Sequence, residues 1–498
     1  MDKAERRRLT ANLRKVRKFF PHGYLDEEQF AFEAFLEEPE DSRQIFFAPA
    51  WPWADSPPES SIAEEVTGHS GEGDGASLVE LLRVEASIAE WARDAEKASL
   101  PKGCGDRLGD WLKTHVAPDG LFREDPWITF AILPSLWRIR GVLQELAWKP
   151  KWEKVFQAIV PATIRCCAGQ GWIGRPEAPC SEGMAQLLAD LVTEKPLRPW
   201  APAVASLTET RTPKRGAPPS GHGMQSDEVD IAVMRKDWSP EELALGLDWN
   251  QEDWEIDGRL FGSAFLKGAW EVRVSAGGKP LEQETAWSAT CWFSDGEAEY
   301  LEAHVKFESG FALDRQLFLA RPTDVLWIAD TLIAPEESEL ELEWTLPMPT
   351  ATGLEGRLPT CAQRVLGLPF ELSLTPAAFP PNPMVSSPGS LSYRGKSLVM
   401  KQRGRGTRLH MPLVFNWHRK RLPAAIEWRQ LSMTNDRRPV PADEAVAFRV
   451  THGDDHVVFF RALTEQKRYA FLGHQTVNEC LIGAMDETGT LDEWLIIE

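Results

Sequence analysis

Tyr300-Leu-Glu-Ala-His-Val-Lys-Phe307 and Phe311-Ala-Leu-Asp-Arg-Gln-Leu-Phe-Leu319, with the turn signal Ser309-Gly310 between them, read as two successive β-strands. In the first, Ala303, Val305 and Phe307 alternate with Glu302, His304 and Lys306. That is the period-two pattern of a sheet with one dry and one wet face. Working outward, the same signature recurs at Asp230–Arg235, Ala269–Val274, Thr285–Phe293, Val325–Asp330 and Glu339–Trp344, with turns at Gly277-Gly278 and Asp295-Gly296. Short strands at such regular spacing predict an antiparallel β-sandwich. Further strands are expected at Phe370–Leu374, Leu409–Asn416, Ala425–Met433, Ala445–Val450, Val457–Leu463, Lys467–Leu472 and Glu493–Ile497.

Upstream the periodicity changes. Leu78, Leu81, Leu82, Ile88 and Trp91, then Leu133, Leu136, Trp137 and Leu143, then Phe156, Ile159, Val160 and Ile164, and finally Leu187, Leu188 and Leu191 recur at helical spacing. The segments therefore divide into a basic-then-acidic N-terminal stretch and loop over 1–76, an α-helical domain over 77–195, a Pro-rich linker over 196–223 and a β domain over 224–498. The fold class is α+β and multidomain, and 498 residues suffice for more than one core.

A formal charge of −20 argues against nucleic acid and anionic membrane as partners, since both require a positive face. No apolar run reaches membrane-spanning length, and Met1–Arg8 lacks the apolar segment of a signal peptide, which points to a cytoplasmic protein. The seven cysteines form no metal-ligand spacing, and the odd count fits reduced thiols; Cys166-Cys167 reads as a pair of buried helix residues. Nothing in the pattern asks for a cofactor or metal.

The 21 tryptophans against four tyrosines stand out, because Trp serves both as core filler and as a platform for sugar rings. Basic residues concentrate between Lys401 and Arg429, with Arg405, Arg408, His410, Arg419, Arg421 and Arg429 interleaved with Trp417 and Trp428. Guanidinium groups match carboxylate and sulfate oxygens, so this stretch is a candidate substrate-binding surface. The plainer reading is a solvated sheet face whose cations pair with nearby acids. His452-Gly-Asp-Asp-His456 reads as a turn or as a metal cluster, and Asp295, Glu297 and Glu299 as a blunted sheet edge or a cation site.

A helical half followed by a Trp-rich antiparallel half resembles the heparinase II/III-like polysaccharide lyases, which join an α/α toroid to a β-sandwich. The motif carrying the resemblance is Val229-Asp-Ile-Ala-Val-Met-Arg235-Lys-Asp-Trp238, similar to the first sandwich strand of that family, supported by Phe293-Ser-Asp295, Tyr300-Leu-Glu302 and Leu313-Asp-Arg315. The resemblance implies a partial toroid-like helical domain, a large β-sandwich and a polysaccharide partner, anionic or neutral. It also implies β-elimination, which needs a base, an acid for the leaving oxygen and a neutraliser for the uronate carboxylate. The loop over 248–262, where the family carries a histidine, has none, and residues 77–194 hold no tyrosine and one histidine, His115. The first expectation is therefore a lyase-related protein that recognises polysaccharide without the usual acid/base pair. A second is an active lyase built from His222 with Tyr300 or His304, and a third is a structural or protein-interaction module.

Overall fold

The computed structural model describes residues 104–498 apart from short breaks at 124–125, 127–128, 146–149, 169–170, 173–174, 180–181, 209–221, 251–253, 419–425 and 454. The N-terminal basic helix, the acidic run, the loop before residue 77 and the first helix of the helical domain lie outside the described residues, as do Arg419 and Arg421. The chain divides into two compact units, residues 1–172 with 177–218, and residues 173–176 with 219–498.

In the first unit the described residues form helices α1 (Cys104–His115), α2 (Thr129–Glu145), α3 (Glu153–Cys166), α4 (Glu182–Leu191) and α5 (Ala201–Thr208). Leu133, Leu136, Leu143, Phe156, Ile159, Val160 and Ile164 are buried, as helical spacing requires of one apolar face. Arg140 ties the bundle from α2, reaching Glu153 and Glu194 at 2.7 Å each. Cys166 closes α3 and Cys167 opens a two-residue strand, so the buried pair straddles a helix end instead of lying inside a helix. Helix α5 stands within the stretch read as a linker.

The second unit is antiparallel β throughout. Its principal strands are β1 (Ile231–Arg235), β2 (Ala244–Asp248), β3 (Trp254–Leu260), β4 (Ser263–Ala276), β5 (Ser288–Ser294), β6 (Ala298–Phe307), β7 (Phe311–Ala320), β8 (Val325–Pro347), β9 (Glu371–Pro376) and β10 (Ser397–His418). A C-terminal sheet adds β11 (Ile426–Gln430), β12 (Ala445–His452), β13 (Asp455–Ala462), β14 (Cys480–Met485) and β15 (Leu491–Ile497).

Strands β8 and β10 are the axis. Val325–Asp330 and Glu339–Trp344, read separately from sequence, are the two halves of β8, and the basic stretch from Lys401 is the first half of β10. The register breaks between Ile333 and Ser338, where Ala334–Glu337 stand opposite Thr407 alone. Pro335 lies in that bulge, where a residue without an N–H costs no ladder bond. Before the break β8 pairs with β7, and after it with β4, so one strand serves two sheet regions.

Their facing sides share a core of Leu301, Val305, Leu317, Ile328, Leu342, Trp344, Trp254, Trp270 and Phe415. The C-terminal sheet covers the other face of β6, β7 and the first half of β8 through Tyr300, Phe318, Trp327, Phe448, Phe459 and Ile482. This overturns the expected wet face: Tyr300 and Glu302 lie buried between layers, and Lys306 alone of the three polar alternates is exposed. Two short strands, Gly353–Gly356 and Gln363–Leu366, also stand in a stretch where one strand was expected.

Candidate functional site

Alternation along β6 decides which polar groups can meet. Tyr300 belongs to the layer under the C-terminal sheet, whereas Leu301 belongs to the opposite core. Glu299 points to the Leu301 side and accepts a hydrogen bond from the Gly223 N–H at 2.6 Å, immediately after His222. His222 and Tyr300 are therefore attached to opposite faces of one strand, as are His222 and His304. Tyr300 is 1% exposed, and its hydroxyl donates to Glu302 at 2.7 Å. Burial, then the Glu302 charge, pushes its phenol well above the usual range, so it carries its proton at any ordinary pH. His304 Nδ1 sits 2.7 Å from Asp314. The structure does not assemble His222 with either partner proposed for it.

The basic stretch resolves into pairs and core residues. Lys401 and Arg403 engage Glu341, and Arg405 Nε reaches Glu337 at 2.8 Å, all across the β8–β10 ladder. Arg408 donates to the backbone carbonyls of Leu463, Ala334 and Thr407. His410 is buried against Thr331, 2.8 Å away, and burial pushes it down to about 3. Trp417 and Trp428 are 1% and 4% exposed, which leaves no face for a sugar ring. Arg429 is exposed on β11 opposite Arg449, on the C-terminal sheet. The candidate surface is thus divided between a mixed-charge sheet face and the core, and its tryptophans are filler. His452 ends β12 and Asp455 starts β13, a hairpin tip, and no group of metal-binding side chains occurs among the described residues.

A different cluster forms where strands end. β1 ends at Arg235 and runs into Lys236-Asp237-Trp238; β7 ends at Ala320 and turns through Arg321–Asp324 into β8; β10 ends at His418. Glu299 anchors the cluster. It is fully buried and accepts from the backbone N–H groups of Gly223 and Arg235, from Ser294 Oγ at 3.2 Å and from Arg321 Nη2 at 2.6 Å. Burial pushes its carboxyl up, against the pull of Arg321. Arg321 Nη1 donates to the carbonyls of Arg235 and Lys236 at 2.7 and 2.8 Å. Glycine is required at 223, because a Cβ there would meet Val233 O at 2.5 Å and Glu299 Oε1 at 2.7 Å.

On this anchor, Lys236 pairs with Asp324 and with Glu242, the latter at 3.2 Å. Burial would lower Lys236, but these two carboxylates hold it above its usual range. The His222 ring lies 5.6 Å from that of Trp238, with Nε2 3.9 Å from Asp237, too long for a hydrogen bond. Burial first, then Arg321, pushes His222 down to about 4. His452 is lowered by burial, with Arg357 and His418 adding to it and Asp455 and Asp324 opposing. Asp324, the partner of Lys236, thus bears electrostatically on His452 at the β12–β13 tip.

Four buried polar atoms here have no hydrogen-bond partner among the described residues: His222 Nδ1, Arg321 Nε, Thr323 Oγ1 and His452 Nε2. Buried polar atoms are ordinarily paired, so four orphans at one end of the strands mark a place for a hydrogen-bonding ligand or ordered water. Sequence reasoning had Lys236, Asp237 and Trp238 inside its best motif but took them for a strand's continuation. It read Glu299 as an exposed edge, and the buried Arg321 that reverses this reading carries no local signal.

No protein-family model matches the chain, and no curated protein matches it in sequence. Solved structures do. The chain is similar to the heparan sulfate lyase HepC from Pedobacter heparinus at 10% identity and TM-score 0.52, over 81% of this chain and 69% of that one. It is similar to a heparinase III with methylated lysines at 13% identity and TM-score 0.57, over 93% and 77%. A further heparinase III gives 9% identity and TM-score 0.54, over 91% and 82%. At such identities the likeness establishes a shared fold.

Proposed function

We propose that this chain recognises a polysaccharide through the strand-end cluster and does not carry out tyrosine-dependent β-elimination. The observation that carries the reading is the use made of the tyrosines within a heparinase-III-like fold. Tyr300 is buried on Glu302; Tyr393 donates to the carbonyls of Met348 and Ala351; Tyr469 lies within reach of Glu444 at 3.4 Å. All three are committed inside the β unit, and the fourth, Tyr24, lies outside the described residues. A phenol that serves as proton donor to a leaving sugar needs its proton free for the leaving oxygen, and the hydroxyls of Tyr300 and Tyr469 donate to Glu302 and Glu444 instead.

What supports recognition by the strand-end cluster instead is its paired acids and bases fixed by burial, two imidazoles held toward the neutral form, and buried hydrogen-bonding atoms left without a partner. The test has two arms on the full chain. Ultraviolet absorbance follows unsaturated uronate formation from heparan sulfate, alginate and pectin, and calorimetry follows binding to a panel of charged and neutral polysaccharides. The expected result is binding without chromophore. Chromophore formation that disappears in Tyr300→Phe would return the protein to the lyases, and absence of binding across the panel would remove the glycan reading.

A further inference from the structure

Resting on that glycan reading, we infer that the strand-end cluster takes uncharged sugar hydroxyls in preference to a carboxylated or sulfated residue. The charges of the cluster are already engaged. Lys236 is paired with Asp324 and Glu242, and Arg321 with Glu299. Arg235 lies over the Trp238 ring with its guanidinium 4.9 Å from the centroid. Asp237 and Asp455 add negative charge near His222 and His452, while Arg357 and His418 add positive charge near His452. A sugar carboxylate or sulfate entering here would displace an existing ion pair or meet the carboxylates of Asp237 and Asp455, either of which costs desolvation without a compensating partner.

The buried atoms left without partners point the same way. His222 Nδ1, Thr323 Oγ1 and His452 Nε2 belong to neutral groups. A neutral imidazole presents one donor and one acceptor, and a hydroxyl does both. A sugar hydroxyl can answer either tautomer by rotating its proton, whereas an oxyanion only accepts and pairs only with a nitrogen that bears hydrogen. Arg321 Nε, the one cationic donor of the four, has its charge already met by Glu299. At long range the net charge of −20 disfavours the approach of any polyanion.

The test is imidazole NMR of the full chain, with His222→Gln and His452→Gln used to assign the signals. One arm adds neutral gluco-, xylo- and manno-oligosaccharides; the other adds heparan sulfate oligosaccharides and oligogalacturonate, each at low and moderate salt. The expected result is movement of the His222 and His452 signals in the neutral arm, with affinity changing less than about twofold on adding salt, since no net charge is exchanged. Movement of those signals by the charged arm alone overturns the preference for neutral hydroxyls while glycan recognition stands. Binding of neutral sugar that leaves both signals in place overturns the site and keeps the function. Silence in both arms overturns both. The wild-type spectra carry the decision, so a variant that fails to fold does not disable it.

Discussion

The Glu299–Arg321 pair shows how one residue can organise a site without touching a ligand. With both side chains almost wholly buried, removing one partner leaves an uncompensated charge in a medium that cannot hydrate it. Arg321→Met should therefore cost about 3–5 kcal/mol of unfolding free energy, read from denaturant midpoints. Combining it with Glu299→Leu should recover part of that loss, and a fully additive double mutant would refute the pairing. Tyr300→Phe, by contrast, should cost about 1–3 kcal/mol by leaving Glu302 short of a donor, and should leave glycan affinity unchanged. The histidines predict a pH dependence. His222 falls from 6.5 to about 4 in the folded chain, and His452 is lowered as well. Between those pH values the unfolded state binds protons that the native state refuses, so stability is lost as pH falls from 6.5 through about 4. His222→Gln should flatten that slope, and an unchanged slope would show that the imidazole is not held neutral. None of this was legible in the sequence, because burial of Glu299 depends on Arg321 arriving from another strand.

Strands were more legible than their joints. Alternation in β6 and β7 gave their bounds closely, since each side chain's face follows from its parity. The fusion of two expected strands into β8 was not visible, because Pro335 and Glu336 read locally as a break and only the pairing with β10 shows a bulge. For the same reason the Lys401–Arg405 run looked like a binding surface: its partners, Glu337 and Glu341, are distant in sequence and adjacent only through β8–β10 register. The bulge makes a contrast that can be measured. An alanine inserted after Glu336 falls where the ladder is already out of register and should be absorbed with little loss of stability. The same insertion after Leu342 moves Trp344 and Leu346 from the core to the wet face, and should abolish soluble folded protein. Equal tolerance of the two insertions would mean that the β8–β10 register does not specify this sheet.

At the scale of the molecule, the change of period from helical to alternating was the strongest feature of the sequence, and the second unit is antiparallel as that change implied. What the sequence concealed was the number of layers: amphipathic strands suggested a sandwich with wet outer faces, yet β6, β7 and the first half of β8 are covered on both sides. A third cluster, built on Leu431, Phe460, Tyr469 and Phe471, packs on the far side of the C-terminal sheet. Every residue of these three clusters comes from beyond position 223. A unit whose cores, among the described residues, draw on no other segment contains what a domain needs to fold. Residues 219–498 expressed alone should therefore unfold in one cooperative transition, with native β circular dichroism and a dispersed set of tryptophan indole signals. Because all the cluster's groups from His222 to Asp455 lie in this fragment, it should also show the same imidazole response to neutral sugar as the full chain. A fragment that folds but loses that response would mean that the first unit contributes to recognition, and one that fails to fold would show that the three cores are insufficient without it.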